Sequence, residues 1–126
     1  MIHKVKFVAE RQGKILVVRY GGEDCYSLPG GQVRRKEPTE DALVRNVKTD
    51  VVSGIVGVRY ETQLIYTNSH GRRVFVDLYC GQFESEPRAG KFVKEVKWFD
   101  RSDIRRHGKS PSLTRIYPLM ERMRLT

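Results

Sequence analysis

The segment from Leu28 to Gly54, LPGGQVRRKEPTEDALVRNVKTDVVSG, constrains the fold most, because it joins a glycine-containing turn to a strong helix signal. Pro38 suits the first turn of a helix, and the acidic residues around it favour the positive end of the helix dipole. An apolar stripe recurs every four residues, at Leu43, Val47 and Val51. The pattern predicts one amphipathic helix that ends near Gly54, with that glycine as the C-cap.

Runs rich in β-branched and aromatic residues flank this helix on both sides and predict strands. The predicted strands span residues 3–10, 14–20, 55–66, 72–83 and 92–99. Polar, glycine-containing turns at residues 11–13 and 68–71 predict two hairpins. Helical signals also occur near residues 102–106 and from about 112 to 123. We therefore expect an α/β protein.

The length of 126 residues predicts a single domain, spanning residues 1–126, with one core. No apolar run is long enough to span a membrane, and the N-terminal MIHKVKFVAE lacks the apolar region of a secretory signal. We expect a cytoplasmic protein without a membrane partner. Cys25 and Cys80 lack the spacing of a zinc site and do not predict a disulfide.

The net charge of +9 is high for a chain of this size and favours polyanionic partners. The excess is largest from Arg101 onward. Two interpretations stay open: a basic surface that binds nucleotides or nucleic acid, or a solvated face that only raises solubility.

A fixed spacing runs through the central segment: Glu37 follows Gly31 after five intervening residues, and Arg45 follows Glu37 after seven. Together with the preceding Leu28-Pro29-Gly30 and the later strand EVKWF, this pattern resembles the Nudix (MutT-like) superfamily. The signature of that superfamily is G-x5-E-x7-R-E-U-x-E-E-x-G-U, where U is aliphatic. The resemblance covers nearly the whole chain. It implies an α/β/α sandwich with a mixed central sheet.

The resemblance also implies a hydrolase of nucleoside diphosphates linked to another moiety, dependent on divalent cations. Three signature carboxylates present oxygen ligands to Mg²⁺ or Mn²⁺ from one helix face. In this chain their positions hold Asn46, Thr49 and Asp50, so one carboxylate remains. The signature glycine is replaced by Val52. We expect the cation to be held weakly, because neutral side chains do not offset its charge.

The resemblance assigns the residual site residue by residue. Asp50 is the expected principal metal ligand, and the Gly31 carbonyl is a further ligand. Glu37 and Arg45 support them as an ion pair between the loop and the helix. Glu95 is the expected auxiliary carboxylate or base, with Glu84 and Glu86 as alternatives.

Two features each have two interpretations, one as substrate-binding residues and one as ordinary structural residues. The run Arg34-Arg35-Lys36 either contacts substrate phosphates or faces solvent on a turn. Trp98 either stacks on a nucleobase or belongs to the core.

Two functions from different classes therefore stay open. The first is a weak or altered hydrolase of a nucleotide or dinucleotide substrate. The second is an inactive module with the same fold that binds a nucleotide, or RNA through its basic surface. The sequence leaves open whether the protein is a monomer or a homodimer.

Overall fold

The computed structural model describes residues 1–107, 110–116 and 118. The described strands are β1 Ile2–Val8, β2 Glu10–Arg11, β3 Lys14–Tyr20, β4 Gly30–Gln32, β5 Ile55–Thr67, β6 Arg73–Phe83 and β7 Val93–Phe99. The described helices are α1 Thr39–Val51, α2 Arg101–His107 and α3 Pro111–Ile116. The later part of the predicted C-terminal helix, residues 119–123, lies outside the described residues.

The strands form two sheets. One has the order β4-β1-β6-β5 and is mixed, because β1 and β6 are parallel while the other pairs are antiparallel. The second has the order β2-β3-β7 and is antiparallel. The helices cover both faces of this β-layer, which confirms the predicted α/β/α sandwich with a mixed central sheet.

Alternate residues of β3 pack into two different apolar clusters, one on each face. Ile15 and Val17 join the cluster that contains Ile104 of α2 together with Leu113 and Ile116 of α3. Leu16 and Val18 join the cluster that contains the apolar stripe of α1. A strand covered on both faces is apolar at every position, which explains the continuous run ILVV.

The first predicted hairpin, between residues 3–10 and 14–20, is wrong in the strand that pairs with most of residues 3–10. β1 pairs in parallel with β6 and antiparallel with β4, whereas only the two-residue β2 forms the antiparallel hairpin with β3. Local composition identifies both strands but not their partners, because parallel pairing depends on chain segments far away in sequence. The second predicted hairpin, between β5 and β6, is confirmed.

Helix α1 ends at Val51, and its C-cap is Val52 and not the predicted Gly54. Val52 has φ 56° and ψ 42°, and its N–H donates to the carbonyl of Lys48. This left-handed conformation suits glycine and is strained for a β-branched residue. Val52 is also the position at which the Nudix signature has glycine, so the backbone keeps the shape of the signature although the residue differs.

We expect Val52→Gly to stabilise the protein by about 1 kcal/mol. This value is the backbone strain that the substitution releases, minus the additional conformational entropy that glycine loses on folding. Val52 is 38% exposed, so the substitution removes little packing. Urea unfolding at equilibrium measures the change. The control is Val44→Gly, at an exposed position within α1, which is expected to destabilise. A loss of stability in both variants would contradict the prediction.

None of the helices in the described part of the chain is long and apolar enough to cross a membrane.

Candidate functional site

The loop before α1 is fastened to the helix by a bidentate ion pair. Arg45 donates from Nε to Oε2 of Glu37 and from Nη2 to Oε1, each over 2.9 Å. Glu37 Oε1 also accepts from the backbone N–H of Arg34, and Arg45 reaches the carbonyl of Gln32. Hydrogen bonds from Arg45 and then from Arg34 lower the pKa of Glu37 to about 2. The predicted ion pair is present, and both side chains hold the loop against the helix.

The two neutral residues at signature positions are bonded to nearby backbone. Asn46 donates to the carbonyls of Ala42 and Gln32 at 2.9 and 3.2 Å, and Thr49 donates to the carbonyl of Arg45 at 3.0 Å. The Asn46 amide also packs directly against Gly31, where a Cβ would collide with its Oδ1. Asn46 therefore fills the space beside the glycine that was expected to supply a carbonyl ligand.

Asp50 lies in the interior and is only 5% exposed. Its Oδ2 accepts the N–H of Gly30 at 2.9 Å and lies 2.6 Å from the hydroxyl oxygen of Tyr20. The Tyr20 hydroxyl is also 2.9 Å from the carbonyl oxygen of Gly30. The carboxyl group thus joins the end of β3, the start of β4 and the last turn of α1.

Burial and the hydrogen bonds of Asp50 act in opposite directions on its protonation. The Tyr20 hydroxyl donates to Oδ2 of Asp50, and its oxygen is also within hydrogen-bond distance of the Gly30 carbonyl. Burial raises the pKa of Asp50, although Tyr20, Gly30 and the charge of Lys6 act in the opposite direction. Burial and the neighbouring Asp50 also raise the pKa of Tyr20.

The residues present do not fit the divalent cation that the resemblance implies. Asp50 is enclosed and hydrogen-bonded, and the side chains of Asn46 and Thr49 are bonded to backbone carbonyls. No cluster of three or more His, Cys, Asp or Glu able to hold a metal ion occurs in the chain as far as it is described. A hard cation needs several free oxygen ligands. Asp50 therefore acts in this structure as a buried structural residue.

Glu95 and Glu86 are paired with basic residues, and the Glu84 carboxylate packs against Gly54. Glu95 lies on β7, where it accepts from Arg19 and Tyr26 and pairs with Lys97. Hydrogen bonds from these groups, that of Arg19 largest, lower the pKa of Glu95 to about 2. Glu86 pairs with Arg11 at 3.0 Å. The structure does not bring these carboxylates to Asp50 among the residues it describes.

The predicted substrate-binding residues lie on two different elements, the β4–α1 loop and β7. Arg34, Arg35 and Lys36 are exposed on the β4–α1 loop, and Lys36 has a positive φ of 63°. Trp98 lies on β7, where it packs against the α1-side cluster while the Arg11 guanidinium lies 4.3 Å from its ring centroid. One face of Trp98 is thus covered, which favours the core interpretation over base stacking.

A cavity of about 220 Å³, here called the Lys6 cavity, opens beside Tyr20. It lies between β1, the β3–β4 loop, β5, β6 and the start of α3. The residues that give it its chemistry are Lys4, Lys6, Tyr20, Glu23, Ser27 and Tyr66. Of these residues, only Tyr20 and Tyr66 are candidates from the sequence, as weaker alternatives to Trp98 for stacking on a base.

Lys6 is the buried charge of this cavity. It is 8% exposed, and its Nζ donates to the carbonyl of Leu28 at 2.9 Å. Burial, helped by the neighbouring Lys4, lowers the pKa of Lys6 to about 8. The charges of Asp50 and Glu23 offset part of this lowering, but burying an ammonium group remains costly.

Comparison with known proteins gives distant but consistent relatives, although no family model matches the chain. Over 98 residues it is 26% identical to the mRNA-decapping enzyme subunit 2 of Saccharomyces cerevisiae. Over 105 residues it is 26% identical to the ADP-ribose pyrophosphatase of Methanocaldococcus jannaschii. These matches cover 75% and 77% of this chain, but the chain spans only 10% and 60% of those proteins.

The structure of a NUDIX hydrolase from Nitrosomonas europaea matches with a TM-score of 0.82 at 17% identity. The match covers 98% of this chain and 90% of that chain. The chain has the Nudix fold. The resemblance predicted from the residue spacing is thereby confirmed.

Within the Nudix fold, the described residues keep the scaffold of the signature and lack its set of acids. The loop, the helix and the Glu37–Arg45 ion pair are in place. The sequence carried one signal for the residues that were missed: Lys4 and Lys6 alternate with Val5 and Phe7 along β1. Alternation puts both lysines on one face of β1, opposite Val5 and Phe7.

Proposed function

We propose that the protein is a nucleotide-binding module with the Nudix fold that does not use a cation at the signature helix. The observation that carries this proposal is the enclosure of Asp50 by Tyr20 and Gly30. With that carboxyl group hydrogen-bonded in the interior, the signature helix presents no free acid at its three ligand positions.

A nucleotide is the proposed ligand because the relatives point to that class. One curated relative is named an ADP-ribose pyrophosphatase and another an m7GpppN-mRNA hydrolase. The net charge of +9 attracts the phosphates of such ligands. A cytoplasmic location, a single domain, a nucleic-acid partner and the choice between monomer and homodimer stay predictions from the sequence.

The second candidate is a weak hydrolase of a nucleoside diphosphate linked to another moiety, with Mg²⁺ or Mn²⁺ as cofactor. The intact Glu37–Arg45 ion pair favours it, because that pair positions the loop next to the helix. For this function the Asp50 side chain would have to leave Tyr20 and reach solvent. Glu95 would have to leave Arg19 to act as a base.

A single set of measurements separates the two candidates. The purified chain is incubated with mononucleotides, ADP-ribose and dinucleoside polyphosphates, either with Mn²⁺ or with a chelator, and product release and thermal stability are followed. We expect no product, and a rise in melting temperature with a bound nucleotide that the chelator does not abolish. Cation-dependent product release that Asp50→Asn abolishes would instead establish the hydrolase.

A further inference from the structure

We propose that the Lys6 cavity binds the phosphate group of a mononucleotide through Lys6, Lys4 and the hydroxyl of Ser27, a proposal that rests on the nucleotide-binding function above. It places the phosphate between the sheets, on the residues of β1 and the β3–β4 loop, and away from the signature helix positions 46 and 49.

Ser27 supplies the first observation. Its Oγ is buried and has no hydrogen-bond partner among the described residues, although the residue is only 8% exposed. Its backbone is held firmly, because Ser27 and Val18 exchange two hydrogen bonds of 2.8 Å. A buried hydroxyl is normally paired, so its place in the cavity wall points to a ligand atom as its partner.

Lys6 supplies the second observation. An ammonium group has three donors, and within the described part of the chain Lys6 uses one of them, on the carbonyl of Leu28. Its Nζ also lies 5.5 Å from the centroid of the Tyr20 ring. A phosphate in the cavity would accept hydrogen bonds from the remaining donors of the ammonium group.

The charges around the cavity favour an anion. Lys4 and Lys6 lie two positions apart on β1 and both line it, whereas Glu23 is the acidic residue of the lining and is exposed on the loop. Asp50 lies behind Tyr20, to which it is hydrogen-bonded. Two ammonium groups therefore line the cavity, against one carboxylate that is exposed to solvent.

The volume limits the size of the bound group. Pockets that enclose a whole drug-sized ligand measure about 300–1,000 Å³. A cavity of about 220 Å³ suits one end of a ligand, such as a phosphate with part of its sugar. The wall from β5 contains Tyr66, whose ring offers an apolar face to the rest of the nucleotide.

Calorimetric titration in the presence of a chelator tests the proposal. The probes are AMP, GMP, CMP and UMP, the matching nucleosides without phosphate, and inorganic phosphate. The variants are Lys6→Met and Ser27→Ala, with Lys94→Met and Ser69→Ala as matched controls at exposed positions on β7 and in the β5–β6 turn. Thermal unfolding of each variant shows that it is folded.

We expect Lys6→Met and Ser27→Ala each to weaken mononucleotide binding by about 10-fold or more, because each removes a hydrogen bond to a charged group. The two controls should bind as the unsubstituted chain does. Nucleosides should bind the unsubstituted chain no more tightly than the nucleotides bind the Lys6→Met variant. Lys6→Met should also be at least as stable as the unsubstituted chain, since methionine fills the same space without a buried charge.

The outcomes separate this proposal from the function on which it rests. Mononucleotide binding that is unchanged in both variants would overturn the cavity proposal and leave a nucleotide-binding function in place. Binding of inorganic phosphate alone, lost in Lys6→Met, would support the cavity as a phosphate site and overturn the nucleotide-binding function. Absence of binding by every probe would overturn both.

Discussion

Gly30→Ala is expected to destabilise the protein by about 3 kcal/mol, since it combines backbone strain with a collision between main chains. Gly30 has a φ of 142°, a value that residues with a Cβ rarely adopt. An added Cβ would meet the carbonyl oxygen of Val5 directly and lie 2.9 Å from the Cα of Lys6. These are backbone atoms of β1, the strand to which β4 is hydrogen-bonded.

The backbone around Gly30 has little freedom to relax. Its N–H donates to Asp50 and its carbonyl faces the Tyr20 hydroxyl, so moving β4 away from β1 would break the contacts that enclose Asp50. The loss of stability should therefore be accompanied by exposure of that carboxyl group. Urea unfolding, followed by tryptophan fluorescence from Trp98, measures the free energy of unfolding.

Gly57→Ala is the matched control. Gly57 also has a positive φ, of 61°, but nothing lies within 4 Å of the position its Cβ would occupy. This variant should lose only the strain of a left-handed backbone, about 1 kcal/mol. Equal losses in the two variants would show that close packing against β1 does not explain the requirement for glycine at position 30.

Asp50→Ala is the second large expected effect, a loss of about 2–3 kcal/mol, because it leaves the buried N–H of Gly30 without an acceptor. Asp50→Asn is expected to cost much less. An amide oxygen still accepts from Gly30, and the side chain is close in size to a neutral carboxyl group. A metal ligand that faced solvent would show the opposite behaviour, since its removal would leave the stability nearly unchanged.

The same variants show a distinct pH dependence. The folded state holds the proton of Asp50 above the usual pKa of 3.8, so it binds more protons than the unfolded chain over the interval above that value. The stability from this group is complete below pH 3.8 and is lost as the pH rises through the raised pKa. Asp50→Asn lacks this loss. Unfolding curves of both proteins at several pH values above 4 measure the difference, and parallel curves would contradict a raised pKa.

The arrangement around Glu37 and Arg45 was predictable because it is local. The two residues are eight positions apart, on a loop and the helix that directly follows it. Their spacing in the sequence determines which side chains meet once the helix forms. The same holds for the β5–β6 hairpin, whose strands are joined by a short turn.

The burial of Asp50 was missed although its position carried a signal. Asp50 follows Val47 by three residues and Leu43 by seven, so it lies on the apolar stripe of α1. The spacing of the Nudix signature instead groups Asp50 with residues 46 and 49, on the face expected to bind metal. Its hydrogen-bond partners come from β3 and β4, which no local pattern joins to the end of α1.

By itself, the sequence determined the order of strands and helices, the apolar stripe, the ion pair and the resemblance to the Nudix superfamily. Each of these depends on the spacing of neighbouring residues along one segment. Only the tertiary structure decided that β1 pairs with β6, that Tyr20 encloses Asp50, and that Lys6 and Ser27 line one cavity. Those contacts join residues 21 to 72 positions apart. Their energies depend on burial and on partners from other segments, and both exist only in the folded chain.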